Sequence, residues 1–197
     1  PKEYNIGTIV HSVYKYFTTL AKQRGIKFEV EVPEEELLAS VDKEALTKIL
    51  SNLFANALKY ARTYVYLHLS VDEKNEVFTI SMSNDGNIVP IEMRENIFKA
   101  FVQYRDGKDI VSGTGIGLAM ARYLAELHQG MLVMDRELDC NRFILSIPIL
   151  HQTLPDDSEE QHKKPGYDDE DREVSDKDKR EVASILVVED NKDMLAF

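Results

Sequence analysis

The chain has 197 residues, of which 43% are hydrophobic and 30% charged, and it carries a formal net charge of −11. That supports one ordinary domain with a sizeable core and a smaller piece besides. The acidity leaves no broad basic surface to neutralise backbone phosphates, which argues against nucleic-acid contact, and no apolar run approaches the length of a membrane span.

Further exclusions follow from single residues. The one cysteine, Cys140, rules out an internal disulfide and suits a reducing, cytoplasmic setting. The sequence opens on Pro1 without a signal peptide, so a piece of something longer is expected.

In chain order, Ile9, Val10, Val13, Tyr14, Phe17, Leu20 and Ala21 predict a helix from Ile6 to about Lys22, ended by Gly25. Extended pieces follow at Lys27–Val32 and Leu37–Val41. Asp42 then offers a carboxylate to the first turn of a second helix running to Tyr60. Its apolar face is Leu46, Ile49, Leu50, Leu53, Phe54, Ala57 and Leu58. After Tyr60 the period changes to two: Val65, Leu67, Leu69 and Val71 alternate with polar and aromatic residues. A polar turn at Asp72–Glu76 leads to Phe78, Ile80 and Met82, predicting a hairpin whose second strand ends at Ser83.

Asn84 to Pro90 has loop composition, and Ile97, Phe98 and Phe101 form a short apolar element. Gln103–Gly117 is charged, glycine-rich and aperiodic. A third helix, Leu118–His128, places Leu118, Ala121, Leu124 and Leu127 on one side and stops at Gly130. Met131–Met134 and Phe143–Ile149 predict two closing strands. The class is therefore α+β with a mixed, mostly antiparallel sheet. Residues 151–182 hold twelve Asp/Glu against six Lys/Arg and almost no apolar side chains, which predicts a flexible linker. Beyond it, Ile185-Leu-Val-Val188 reads as a strand buried on both faces, at the head of a truncated segment 183–197.

Two stretches carry chemistry. On the second helix, Asn52, Asn56 and Lys59 are four and three residues apart and project as one stripe beside the apolar face. Amide oxygens suit a hard cation and an ammonium suits phosphate, so the stripe fits a metal-bound polyphosphate. An ordinary amphipathic helix with a solvated polar edge fits the same residues. Gly113-Thr-Gly-Ile-Gly117 stands directly before the third helix, where glycines let backbone N–H groups approach phosphate and the helix dipole favours an anion. A flexible surface loop has a similar composition. The stretch is neither a Walker loop nor a dinucleotide fingerprint, lacking Gly-Lys-[Ser/Thr] and a preceding strand.

Together these residues carry a family resemblance. Asn52-Leu-Phe-Ala-Asn-Ala-Leu-Lys-Tyr60 resembles the N box of sensor histidine kinases, and Asn84-Asp-Gly-Asn-Ile88 their first glycine box. Ile97-Phe-Lys-Ala-Phe101 resembles their F box, and Gly113-Thr-Gly-Ile-Gly-Leu118 their second glycine box. The likeness spans residues 1–150, while Ile185-Leu-Val-Val-Glu-Asp-Asn191 resembles the start of a response-regulator receiver domain. Kinase core, linker and receiver in one chain resemble a hybrid two-component sensor.

The resemblance implies the two-layer α/β sandwich of the Bergerat, or GHKL, type, with helices covering one face of the sheet. It implies ATP and Mg²⁺ as cofactors. Asn56 would coordinate the metal, Asn52 and Lys59 would meet the polyphosphate, and Tyr60 would pack near ribose or base. Gly113, Gly115 and Gly117, with Thr114, Ile116 and Leu118, would form the phosphate turn. Residues 102–112 would be the ATP lid, with Lys108 a candidate phosphate contact, though a solvated lid lysine fits that position better. Asn84, Gly86, Ile88 and Phe98 would complete the site. The family's first glycine box has aspartate where Asn84 stands and glycine where Ile88 stands; that aspartate accepts a hydrogen bond from the adenine amino group. Asparagine accepts only as a neutral partner, so weaker ATP binding is expected, and Asp85 substitutes only if the loop shifts register.

The ATPases related to these kinases place a glutamate as general base where Asn52 stands, and an amide cannot take that proton. The γ-phosphate is thereby kept for a histidine acceptor on a helical dimerisation domain, with the receiver as a further partner. None of His11, His68, His128, His151 or His162 lies in the expected His-Glu/Asp setting, so all five read as structural or surface residues. Glu189 and Asp190 would hold Mg²⁺ only in a complete receiver. The alternative is a non-catalytic, ATP-gated interaction module with a degenerate first glycine box.

Overall fold

A computed structural model describes residues 2–103, 114–135 and 139–149. Lys108, Gly113, His151, His162, the expected linker and the receiver-like segment lie outside the described residues.

The elements run β1 (Lys2–Asn5), α1 (Ile6–Gln23), β2 (Lys27–Glu31), β3 (Leu38–Val41), α2 (Lys43–Tyr60), β4 (Tyr64–Asp72) and β5 (Val77–Asn84). Two single 3₁₀ turns, Ile91–Met93 and Asn96–Phe98, lead towards α3 (Gly117–Leu127), β6 (Met131–Met134) and β7 (Asn141–Pro148). Asn5 caps α1 by accepting from Thr8 N–H at 3.2 Å. Asp42 caps α2 as expected, accepting from the N–H groups of Glu44 and Ala45 at 2.9 and 3.1 Å. Gly25, at φ +65°, supplies the left-handed residue that ends α1.

The main sheet has five strands in the order β2-β4-β5-β7-β6. Only β2–β4 is parallel, and the other pairs are antiparallel. Alternation along the strands sorts the faces. Val65, Leu67, Leu69, Phe78, Ile80, Met82, Phe143, Leu145 and Ile147 are buried, in one core with the inward residues of all three helices. Their neighbours Tyr64, Tyr66, His68, Thr79 and Ser81 are only half-buried. The result is the predicted two-layer sandwich, helices on one face. α2 lies at its centre, with Leu46, Ile49, Leu50, Leu53, Phe54, Ala57 and Leu58 fully buried between α1, α3 and the sheet.

Leu38–Val41, expected as an extended piece, pairs antiparallel with β1, a strand too short to show a period. Two details differ from the sequence expectations. In α3 the buried side is Ala121 and Ala125, one turn apart, whereas Leu127 is 63% exposed. Small residues let α3 sit close against α2, and a leucine at the last helical position is left outside. Phe101 is 76% exposed at φ +66°, so only Ile97 and Phe98 of the short apolar element enter the core.

Candidate functional site

The polar stripe of α2 borders its buried face. Asn52, Asn56, Lys59 and Tyr60 are all half-buried, next to the fully buried Leu53 and Ala57. The Lys59 ammonium lies 4.8 Å from the centroid of the Tyr60 ring, a cation–π contact at the C-terminal end of the stripe.

The second glycine stretch arrives at this stripe. A Cβ on Gly117 would stand 2.9 Å from Asn52 Oδ1, so the N-terminus of α3 touches α2 at that carboxamide. Ile116 gives the helix no side-chain cap, which leaves first-turn N–H groups for an acceptor from elsewhere. Gly115 sits at φ +73°, and its carbonyl accepts from Phe101 N–H at 3.0 Å. A Cβ there would meet the Phe101 backbone at 2.9 Å, so close approach and positive φ both require glycine. Thr114 and Ile116 are exposed on this turn and Leu118 is half-buried behind it.

The first glycine stretch closes over the far end of α2. A Cβ on Gly86 would stand 2.4 Å from the Tyr60 carbonyl oxygen. Asn84 is 1% exposed, and its Oδ1 accepts from Gly86 N–H at 3.0 Å. Ile88 is partly exposed on the same loop.

Asp85 points the other way. Its carboxylate accepts from the N–H groups of Arg62, Thr63 and Tyr64 and from the Thr63 hydroxyl at 2.5–3.2 Å, pinning the α2–β4 connection. Burial pushes its pKa up, but the Thr63 hydroxyl and these backbone N–H groups outweigh it and hold the carboxyl at about 2. Asp85 is thus committed to the α2–β4 connection, and Asn84 is the buried side chain beside it on this loop.

Other residues escaped sequence reasoning. Asn141, 4% exposed and opposite Asn84 in the β5–β7 register, accepts from Val89 N–H at 3.0 Å and donates to the Asn87 carbonyl at 2.9 Å. Arg94, 5% exposed, donates through Nε to the Val89 carbonyl at 3.0 Å and through its guanidinium to the Asp135 carbonyl. The one sequence signal was an asparagine at an inward-facing strand position. Phe98 is buried against Phe143, with the Arg122 guanidinium 3.7 Å from its ring centroid. Arg122 also pairs with Glu95 at 2.9 Å and donates to the Leu132 carbonyl at 3.0 Å, so the F-box element is bolted to α3 and β6.

The described histidines are accounted for without chemistry at this site. His11 is exposed on α1 and His68 is half-buried on β4. His128 accepts Asp42 N–H through Nε2 at 3.1 Å, with Nδ1 2.7 Å from the Leu124 carbonyl, tying the end of α3 to the start of α2. Among the described residues no three His, Cys, Asp or Glu side chains cluster as a metal site. The acceptors that the stripe offers a cation are the amide oxygens of Asn52 and Asn56, to which phosphates and water would add. That donor set suits Mg²⁺, which keeps several waters and binds few protein groups.

The family model described as histidine kinase-, DNA gyrase B- and HSP90-like ATPase matches residues 41–151. The probable sensor kinase SilS of Salmonella typhimurium is 29% identical over 120 residues, covering 60% of this chain and 24% of the relative. The sensor histidine kinase WalK of Bacillus subtilis is 29% identical over 119 residues, covering 59% and 20%. The hybrid signal transduction histidine kinase D of Dictyostelium discoideum is 27% identical over 153 residues, covering 74% and 10%. The chain thus spans a quarter or less of these relatives' lengths. Among solved structures, the catalytic domain of histidine kinase ThkA superposes with TM-score 0.64 at 25% identity, over 75% of this chain and 97% of that one. Full-length ShkA in complex with AMPPNP superposes with TM-score 0.62 at 28% identity, over 74% and 30%.

Proposed function

This chain belongs to the histidine kinase-, DNA gyrase B- and HSP90-like ATPase family, and from that premise we propose that it binds Mg-ATP and passes the γ-phosphoryl group to a histidine. The acceptor is carried by a helical dimerisation domain of the same protein, a hybrid two-component sensor. The observation that carries this reading is the contact between Asn52 and Gly117, which sets the amide stripe of α2 beside the uncapped N-terminus of α3.

In this reading Asn56 holds Mg²⁺ through its amide oxygen, and Asn52 and Lys59 meet phosphate oxygens. The backbone N–H groups at Gly115, Gly117 and Leu118, with Thr114, Ile116 and Gly113 around them, cradle the terminal phosphates. Tyr60 and the loop Asn84–Ile88 hold the nucleoside, Phe98 backs the wall from the core, and Lys108 adds a phosphate contact. Mg²⁺, when bound, would supply charge neutralisation on the phosphates. Transfer breaks the bond from the γ-phosphorus to the β–γ bridging oxygen, releases ADP and forms a P–N bond to the imidazole. No carboxylate stands at position 52, so no general base activates water in competition with that acceptor.

The hybrid layout is supported by the acidic segment 151–182 and the receiver-like run Ile185–Asp190. A cytoplasmic piece of a membrane-anchored sensor fits this layout, and among the described residues no helix is long and apolar enough to cross a membrane. Ile88 at the position of a family glycine favours the second reading, an ATP-gated module that does not transfer phosphate.

Calorimetric titration with Mg-ATP tests the site. Asn56→Ala is expected to weaken binding tenfold or more with the melting temperature unchanged. Equal affinity in the variant would remove the metal role from Asn56.

A further inference from the structure

Asn84 differs from an aspartate in more than charge, because the structure fixes which way its amide points. Two donors flank Oδ1: Gly86 N–H at 3.0 Å, and Nδ2 of Asn141 at 3.5 Å. Asn141 cannot turn its own amide, since Oδ1 accepts from Val89 N–H and Nδ2 donates to the Asn87 carbonyl. A flipped Asn84 would press its NH₂ against both donors and leave Gly86 N–H unpaired in a buried place, so only one orientation satisfies the network.

The other end of the side chain is thereby an NH₂. Nδ2 of Asn84 takes no part in the hydrogen bonds that join Asn84, Gly86, Asn87, Val89 and Asn141. An aspartate placed in the same network would accept from Gly86 N–H with one oxygen and present the second as an acceptor. Asparagine presents a donor.

We infer that Asn84, locked by Gly86 and Asn141, makes the base end of the site a hydrogen-bond donor that admits 6-oxopurine nucleoside triphosphates alongside ATP. This rests on the reading that the site binds a nucleotide with its base at Asn84. A donor matches the 6-oxo group of hypoxanthine or guanine and opposes the 6-amino group of adenine, which then pairs only through water or a shifted base. The charge-assisted acceptor that would favour adenine about tenfold or more is absent. Asn141 is a positioning residue here, acting through Asn84.

The test is titration of the full chain with Mg-ATP and Mg-ITP, which differ at the 6-position, with Asn84→Asp as the second protein. The parent is expected to bind ITP at least as tightly as ATP to within about threefold, and the variant to favour ATP by tenfold or more. A parent that favours ATP tenfold or more overturns the inference, and it does so even if the variant fails to fold. An Asn84→Asp protein that folds, binds and keeps the parent's ratio also overturns it. If the folded parent binds neither nucleotide, the nucleotide-site reading itself fails and the inference with it.

Discussion

At the scale of single residues, two neighbouring acidic-loop positions have opposite duties. Asn84 is buried with one end of its amide in a hydrogen-bond lock, while Asp85 spends its carboxylate on the turn after α2. Removing that carboxylate leaves the N–H groups of Arg62, Thr63 and Tyr64 without their acceptor. Asp85→Ala is expected to cost about 2 kcal/mol of stability in urea melts at neutral pH. The pH dependence has a definite sign. The folded pKa, about 2, lies below the ordinary 3.8, so the contribution is whole above that range and is lost as pH falls towards 2. The gap between parent and variant should narrow in acid; a gap that is constant or widens would contradict the assignment. The stripe of Asn52, Asn56 and Lys59 was legible because its spacing alone puts these residues on one side of α2. Asn141 was not, since its partners are 52 and 54 residues away in sequence, and only strand pairing brings them together.

At the scale of elements, α2 both packs the core and lines the site, and these duties separate by face. Leu50 is fully buried, so Leu50→Ala is expected to cost about 2–5 kcal/mol by thermal or urea unfolding. Its effect on nucleotide affinity should be small at temperatures where the variant is folded. Gly117→Ala works on the other face. An added methyl 2.9 Å from Asn52 Oδ1 forces α3 or the carboxamide to move. Stability should barely change, because alanine favours a helix over glycine by roughly 1 kcal/mol. Titration should nonetheless show Mg-ATP affinity reduced about tenfold, and an unchanged affinity would mean that the Asn52–Gly117 contact is not part of the site. The helices and the β4–β5 hairpin were legible because their periods of 3.6 and 2 run for many residues. Lys2–Asn5 spans too few residues to show a period, and its pairing with β3 is a tertiary event. Leu127 looked buried by spacing, but α3 turns its alanines to α2, and helix–helix distance decided the face.

At the scale of the whole molecule, the sandwich brings two sequence-distant stretches to α2 and a third to α3. Gly86 touches the end of α2, Gly117 touches its middle, and the F-box element is fastened to α3 through Arg122. In the proposed reading the arrangement would hold a polyphosphate without a carboxylate base at position 52, and that is the physical basis for proposing a phosphoryl donor and not a hydrolase. The most direct measurement supplies the chain with γ-labelled Mg-ATP and the helical domain that bears a His-Glu/Asp motif, and follows label on protein and as free phosphate. The account predicts an acid-labile phosphohistidine on that domain and little phosphate release from the chain alone. A folded, ATP-loaded chain that leaves the histidine unlabelled, or that releases phosphate rapidly by itself, would contradict it.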